Sequence, residues 1–221
     1  MNYQPIVQMS PEWWNLKVGK VSGTRYGQVI SGRKNNLVYE LINENLNGYI
    51  EPDDFVSDDM QFGIENETKA LDLYETKTGY IFERGGVILS DFNPIHMASP
   101  DGVNRAFGIV AEVKCTQHGA RQIKRFFEGP EPDYPPQIKN YFAVSDDVKE
   151  VHWISFCPYR QERELVVHIY KRGDVAGYVK TKVNKETVET PYTIHDEAIE
   201  GRKLIELLQS DLITKQQQFI F

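Results

Sequence analysis

Residues 99–115 read SPDGVNRAFGIVAEVKC, and the second half of that stretch, GIVAEVKC, has the look of a buried β-strand. Successive side chains of a strand point to opposite faces, so Ile109, Ala111 and Val113 share one face while Val110, Glu112 and Lys114 share the other. A glutamate and a lysine two apart in an otherwise apolar strand are unusual, because buried charges cost several kcal/mol unless they are paired or bound to a metal. Eleven residues upstream of Glu112, Asp101 precedes Gly102 at an expected turn. If the two segments pair as a hairpin, Asp101 returns to the end of the sheet that carries Glu112 and Lys114. Two carboxylates then offer hard oxygen ligands for Mg²⁺, and the lysine is placed to orient or deprotonate an attacking water. That chemistry is phosphodiester hydrolysis. A surface hairpin with a solvated Glu-Lys pair is the competing reading, and spacing alone does not separate the two.

Working outward, the segments YIFER, GGVILS, IHMAS, VHWISFC and ELVVHIYKR are short, rich in β-branched and aromatic residues, and bounded by Gly, Asn, Asp or Pro. They are read as strands, with Gly85-Gly86 as a hairpin turn. Upstream, helices are expected over Pro11 to Leu16, Thr24 to Ile30 and Asn36 to Leu46, the last ending at Asn47 and Gly48. An acidic linker with Pro52, Asp53, Asp54, Asp58 and Asp59 follows. From Met60 to Thr78 the series Ile64, Leu71, Tyr74, Thr78 predicts a helix capped by Gly79. PPQIKNYFAV suits a helix with Pro135 and Pro136 in its first turn, and a last helix is expected over about 194–212 with Thr193 and Asp196 as a capping box. Helix, strands, helix and further strands describe an α/β fold bordering on α+β, with a mixed sheet and helices on its faces.

Three further features bear on chemistry. Glu67 falls on the apolar stripe of the 60–78 helix, as a third metal ligand or as a carboxylate at the stripe's edge, whereas Glu65 projects elsewhere. Gln137 stands near the start of its helix, one turn before Tyr141, and either bonds a phosphate or metal-bound water or simply caps the helix. Residues 116–125, with Arg121, form a backbone clamp or a solvated helix face. Trp13 and Trp14 anchor the first helix in the core or stack on a base.

With 221 residues, 40% hydrophobic and 26% charged, the chain can build a sizeable core, and its length favours one domain over 1–221 with a helical segment over about 1–50. Thirty-two acidic against 25 basic residues give a net charge of −7, so any nucleic-acid contact must come from a local basic lining. No run of about 18 apolar residues occurs and the N-terminus lacks signal-peptide order, which points to a soluble protein of the cytoplasm, with no membrane partner. Two cysteines, Cys115 and Cys157, make neither a disulfide framework nor a four-thiolate cluster. The five histidines form no zinc motif, and no P-loop is present.

In order, MQFGIENE, ASPDG, AEVKC and YPPQIKNYFAV resemble the motifs of the PD-(D/E)xK nuclease superfamily, and within it the phage-type alkaline exonucleases of the lambda exonuclease and YqaJ-like viral recombinase group. There a helix with W-G-x-x-x-E, then S-P-D-G, E-x-K and a Tyr-x-x-Gln helix follow one another, and here Phe62 stands for the Trp. The resemblance spans about residues 12 to 170 and implies a restriction-endonuclease-like mixed central sheet. It further implies that Asp101, Glu112, the Val113 carbonyl and Glu67 bind Mg²⁺, with Mn²⁺ as a substitute, that Lys114 acts on the water, and that Gln137 helps hold the site. The segment from Leu16 to Thr24 is similar to the family's Leu-Arg-x-Gly-x-x-Thr-x-Ser stretch, which places Lys17, where arginine is usual, with Thr24, Arg25 and Ser99 at a terminal 5′ phosphate. Implied with these are 5′-to-3′ digestion of linear double-stranded DNA, 3′ tails for recombination, a homotrimer, a single-strand annealing partner and a phage or prophage origin in a bacterial host. An endonuclease of the same superfamily, or an inactive DNA-binding relative, remain rival readings.

Overall fold

The computed structural model describes residues 1–51, 57–183 and 186–220, so Pro52, Asp53 and Asp54 of the acidic run lie outside the described residues. The elements are β1 (Asn2–Gln4), α1 (Pro11–Lys17), α2 (Thr24–Ile30), α3 (Asn35–Asn47), α4 (Asp58–Thr78), β2 (Glu83–Arg84), β3 (Val87–Leu89), β4 (Met97–Ala98), β5 (Gly102–Asn104), β6 (Ile109–Cys115), α5 (Gly119–Glu128), α6 (Pro135–Val144), β7 (Glu150–Phe156), β8 (Leu165–Lys171), β9 (Val175–Val183), β10 (Glu186–Thr193) and α7 (Ile194–Ile220).

A five-stranded mixed sheet in the order β2-β5-β6-β7-β8 forms the centre, with β6 and β7 parallel and the other pairs antiparallel. Strand β6 is the middle strand, which is why its apolar residues are buried on both faces. On one face Ile109, Ala111 and Val113 join Ile154 and Phe156 against Ala70, Leu71 and Tyr74 of α4. On the other, Val110, Val103, Val151 and Trp153 join Leu37 and Leu41 of α3, Ile138 and Phe142 of α6, and Ile205 and Leu208 of α7. The fold is thus the expected mixed sheet between helical layers. Among the described residues no helix is long and apolar enough to cross a membrane.

Local chemistry sets the helix ends. Ser10 caps α1 by accepting from the Trp13 amide, and Ser57 caps α4 by accepting from that of Met60. Asp58 and Asp59 therefore belong to the first turn of α4, where the macrodipole favours acid, rather than to a linker. Gly79 closes α4 at φ 77°, a left-handed conformation that glycine adopts without strain. Thr193 and Asp196 make the reciprocal capping box, and α7 then runs eight residues past the expected end at 212.

Several sequence expectations fail for want of a strand partner. In YIFER only Glu83 and Arg84 pair, because β5 offers them three residues. Gly85-Gly86 connects two sheets rather than two hairpin strands: β3 lies in a separate sheet of order β1-β3-β4. Ile64 is not on the buried stripe but 65% exposed, since the first turns of α4 overhang a cleft. The antiparallel β9–β10 ribbon has no counterpart among the expected strands.

The small sheet matters because it brings the N-terminal segment to the end of β6. Val21 donates its amide to the Ile95 carbonyl (2.7 Å) and accepts from Met97 (3.0 Å), which seats residues 17–24 beside Ser99. Gly102, expected at a turn, instead opens β5 opposite Ala111, and a Cβ there would lie 2.9 Å from Leu71 and 3.0 Å from Phe82. Its glycine is required by the close approach of α4. Gly102→Ala is therefore expected to destabilise the protein by about 1–3 kcal/mol, read as a lower urea midpoint at unchanged slope.

Candidate active site

Hairpin pairing of β5 with β6 returns Asp101 to the Glu112 end of the sheet. Its amide donates to the Ala111 carbonyl (3.2 Å), and its carboxylate accepts from the Val113 amide (2.6 Å). Glu112 is 1% exposed. One of its oxygens accepts from the Lys114 ammonium and the other from the Tyr141 hydroxyl of α6. Glu67 reaches the same strand end from α4 and lines a cleft with Val113, Lys114 and Arg121.

Three carboxylates face one ammonium, and the electrostatics follow from that imbalance. Burial, with the Glu112 charge added, pushes the Asp101 carboxyl well above its usual range, although Lys114 and the Val113 N–H oppose the shift. Burial likewise raises Glu67; Lys114 opposes and Glu112 adds to it. For Lys114 burial pulls the other way, but Glu112 and Asp101 outweigh it and hold the ammonium above the ordinary lysine value. Burial and the same two carboxylates keep the Tyr141 hydroxyl firmly protonated, hence a donor.

Two clefts meet at Lys114. The first, about 230 Å³, is lined by Lys17, Thr24, Ser99, Asp101, Glu112, Lys114 and Gln137, together with Gln8, Trp13, Ser22, Gly23, Asn140 and Tyr141. The second, about 350 Å³, adds Glu67, Val113 and Arg121 to Asp59, Met60, Gly63, Ile64, Cys115, Arg125 and Tyr134. A roomier hollow of about 840 Å³ between α2, α3 and residues 132–136 gathers no such cluster of acids with a lysine.

The structure brings together most of the residues singled out from sequence and excludes one. Lys17 rests over the Trp13 ring at 4.4 Å, and burial followed by the nearby Arg25 charge lowers its ammonium. Ser99 accepts from the Trp13 indole at 3.1 Å. Gln137 reaches the Tyr141 hydroxyl. Arg121 pairs with Asp59 at 3.1 Å on the rim of the second cleft. Arg25 does not line the first cleft: its guanidinium holds Glu44 of α3 and the Lys20 carbonyl. Nor are residues 116–125 a uniform clamp, because Gln122 and Arg125 are 2% exposed, and Arg125 braces the Lys114 carbonyl, Ser155 and Glu131. Tyr141 is the functional side chain that sequence reasoning passed over. Its place four residues after Gln137, on the same helix face, was the available signal. Ser22 and Asn140 carry no comparable signal.

Among the described residues no three His, Cys, Asp or Glu side chains stand as a ready cation cage. Lys114 and Tyr141 engage both Glu112 oxygens. The donor set nonetheless fits a hard divalent cation, because all its groups are oxygens and two negative charges lack compensation.

The model of the YqaJ-like viral recombinase domain matches residues 12–147. The chain is similar in structure to the alkaline exonuclease LHK-Exo from Laribacter hongkongensis, with a TM-score of 0.71, 21% identity, and coverage of 96% of this chain and 98% of that one. LHK-Exo in complex with dAMP superposes equally, at 20% identity. A phage related exonuclease from Haemophilus somnus 129PT matches with a TM-score of 0.52 and 16% identity over 89% of this chain and 96% of that one. These likenesses show a shared fold. Among curated proteins none matches the chain.

The raised Asp101 carboxyl makes a prediction about stability. An acid whose folded pKa lies above its unfolded value destabilises the fold once pH exceeds the unfolded value, and the loss grows until the folded value is passed. Asp101→Asn is therefore expected to melt above wild type at pH 8 without divalent ions, with the gap closing as pH falls towards 4, in thermal scans across that range.

Proposed function

The chain belongs to the YqaJ-like viral recombinase family and is a nuclease, and on that premise we propose that it is a metal-dependent exonuclease that resects linear double-stranded DNA from 5′ ends, leaving 3′ single-stranded tails for recombination. The observation that carries this reading is a single cleft lined both by an acid side, Asp101 and Glu112 with Lys114, and by a donor wall, Lys17, Thr24 and Ser99.

Asp101, Glu112, Glu67 and the Val113 carbonyl would hold the cation, Mg²⁺ by the hardness of its donors, with Mn²⁺ as a substitute. When bound, such an ion neutralises phosphate charge and acidifies water. Lys114 orients the attacking water. Burial pulls this lysine towards the neutral form, and Glu112 and Asp101, with a smaller contribution from Tyr134, outweigh it and keep the ammonium a donor to that water. Tyr141 and Gln137 steady Glu112 from α6. On the donor wall Lys17, Thr24 and Ser99 receive the terminal 5′ phosphate, while Arg25 steadies the loop between α1 and α2 by its bond to the Lys20 carbonyl. Arg121, at the rim of the second cleft, is placed for a backbone phosphate. A homotrimeric ring would turn these cations inward and the acidic excess outward, which reconciles a net charge of −7 with a DNA substrate. A single-strand annealing protein is the partner that 3′ tails require.

Lys114→Ala is expected to lower hydrolysis of 5′-phosphorylated linear duplex in Mg²⁺ by about 10²–10⁴-fold, while duplex binding in a gel shift is largely kept. Closed circular duplex should resist the wild-type enzyme, and cutting of circles would turn the reading towards an endonuclease.

A terminal phosphate carries more charge than an internal diester, so the donor wall should favour 5′-phosphate over 5′-hydroxyl ends. Lys17→Ala should shrink that rate ratio by about tenfold, the worth of one charge-assisted hydrogen bond. Lysine lacks arginine's bidentate fork, which sets a milder wild-type preference than a fork would give.

A further inference from the structure

Asn140 sits within α6, where every neighbour from Tyr141 to Val144 is buried and an apolar residue would extend the core. The chain instead carries an amide there that is 1% exposed and borders the first cleft. Its orientation can be deduced. The Met97 carbonyl can only accept, so the Asn140 nitrogen donates to it at 3.2 Å, and the Asn140 oxygen must face His96. His96 Nε2, 2.6 Å away, therefore carries the proton of that bond. Burial pushes the imidazole down to about 4, so this neutral tautomer persists at working pH. His96 Nδ1 is then a buried acceptor with no partner among the described residues. Leaving such a group unpaired is costly, and the arrangement it maintains is a fixed amide. The second N–H of Asn140 has no acceptor among the described residues, and the cleft that Asn140 borders also holds Lys17, Ser22 and Ser99.

We propose that Asn140, oriented by His96, is a further donor to the terminal 5′ phosphate and a determinant of end specificity. This rests on the exonuclease reading of the same cleft. A neutral donor on a helix core is a sensible complement to Lys17: it adds directionality without adding charge that would draw internal diesters equally.

The test compares rates on linear duplex with 5′-phosphate and 5′-hydroxyl ends, together with inhibition by inorganic phosphate. Asn140→Ala and Asn140→Asp should each cut the rate ratio at least about tenfold and raise the half-inhibiting phosphate concentration in parallel. His96→Gln, whose amide can still donate to Asn140, should keep the ratio, whereas His96→Leu should lower it. Folded Asn140 variants that keep both the ratio and the phosphate inhibition overturn the proposal. So does equal behaviour of the two His96 variants, the outcome expected if the pair only ties β4 to α6. A wild-type enzyme indifferent to end chemistry and to inorganic phosphate overturns the terminal-phosphate reading as well. Indifference to ends alone, with phosphate inhibition that Asn140→Ala relieves, leaves Asn140 a phosphate donor and removes only its role in end specificity.

Discussion

Glu112 lies at 1% exposure in the middle strand of the sheet, and a carboxylate there costs several kcal/mol unless its oxygens find donors. Lys114 satisfies one oxygen and Tyr141 the other. Much of the architecture exists to keep that arrangement intact. Helix α6 must lie across this face to deliver Tyr141, Arg125 must reach the Lys114 carbonyl from α5, and the Asp101 carboxylate must seat itself on the Val113 amide. The imbalance that remains, three acids against one lysine, costs stability and leaves negative charge of the kind a cation would neutralise. Function and fold are here in direct opposition, which is the usual mark of a site rather than of a structural ion pair.

How much of this could be read beforehand depends on how local each determinant is. The alternation in GIVAEVKC correctly divides Val113 from Glu112 and Lys114, because strand period is a property of the backbone. The caps at Gly79 and Thr193 act within four residues and are equally legible. Long-range pairing is not. Nothing in GGVILS or IHMAS says that β3 and β4 leave the central sheet for one started by Asn2–Gln4. The described side chains of the β9–β10 ribbon are mostly exposed, so no buried apolar face marks it.

The same distinction holds for the site. Asp101, Glu112 and Lys114 stand out because their charge is anomalous for their surroundings, and Glu67 because it shares a helix face with Leu71 and Tyr74. Ile64 misleads for a physical reason: the spacing places it on a common face with the core residues, but α4 outruns the sheet and leaves its first turns over open cleft. Arg125 and Gln122 read as part of a clamp or a solvated face, and Arg25 by resemblance as a phosphate ligand, because their partners, Ser155, Glu131 and Glu44, are fixed by folding and not by proximity in sequence. Lys17, in the cleft, closes α1, whereas Arg25, in the first turn of α2, is held outside it by its bonds to Glu44 and the Lys20 carbonyl.

The parallel pairing of β6 with β7 runs from Ile109 opposite Glu150 to Cys115 opposite Phe156, with two helices in the crossover. An antiparallel hairpin such as β5–β6 closes a short loop and can form early, but this central pair must first close a loop of roughly forty residues, at an entropic cost recovered only when the helices dock. Tyr141 belongs to that crossover and Glu112 to the strand it leaves. The acidic strand end consequently acquires its hydroxyl donor only at the step that completes the core. Partly folded chains should then have no competent centre, so hydrolytic activity during refolding would rise together with burial of Trp153 and not before it.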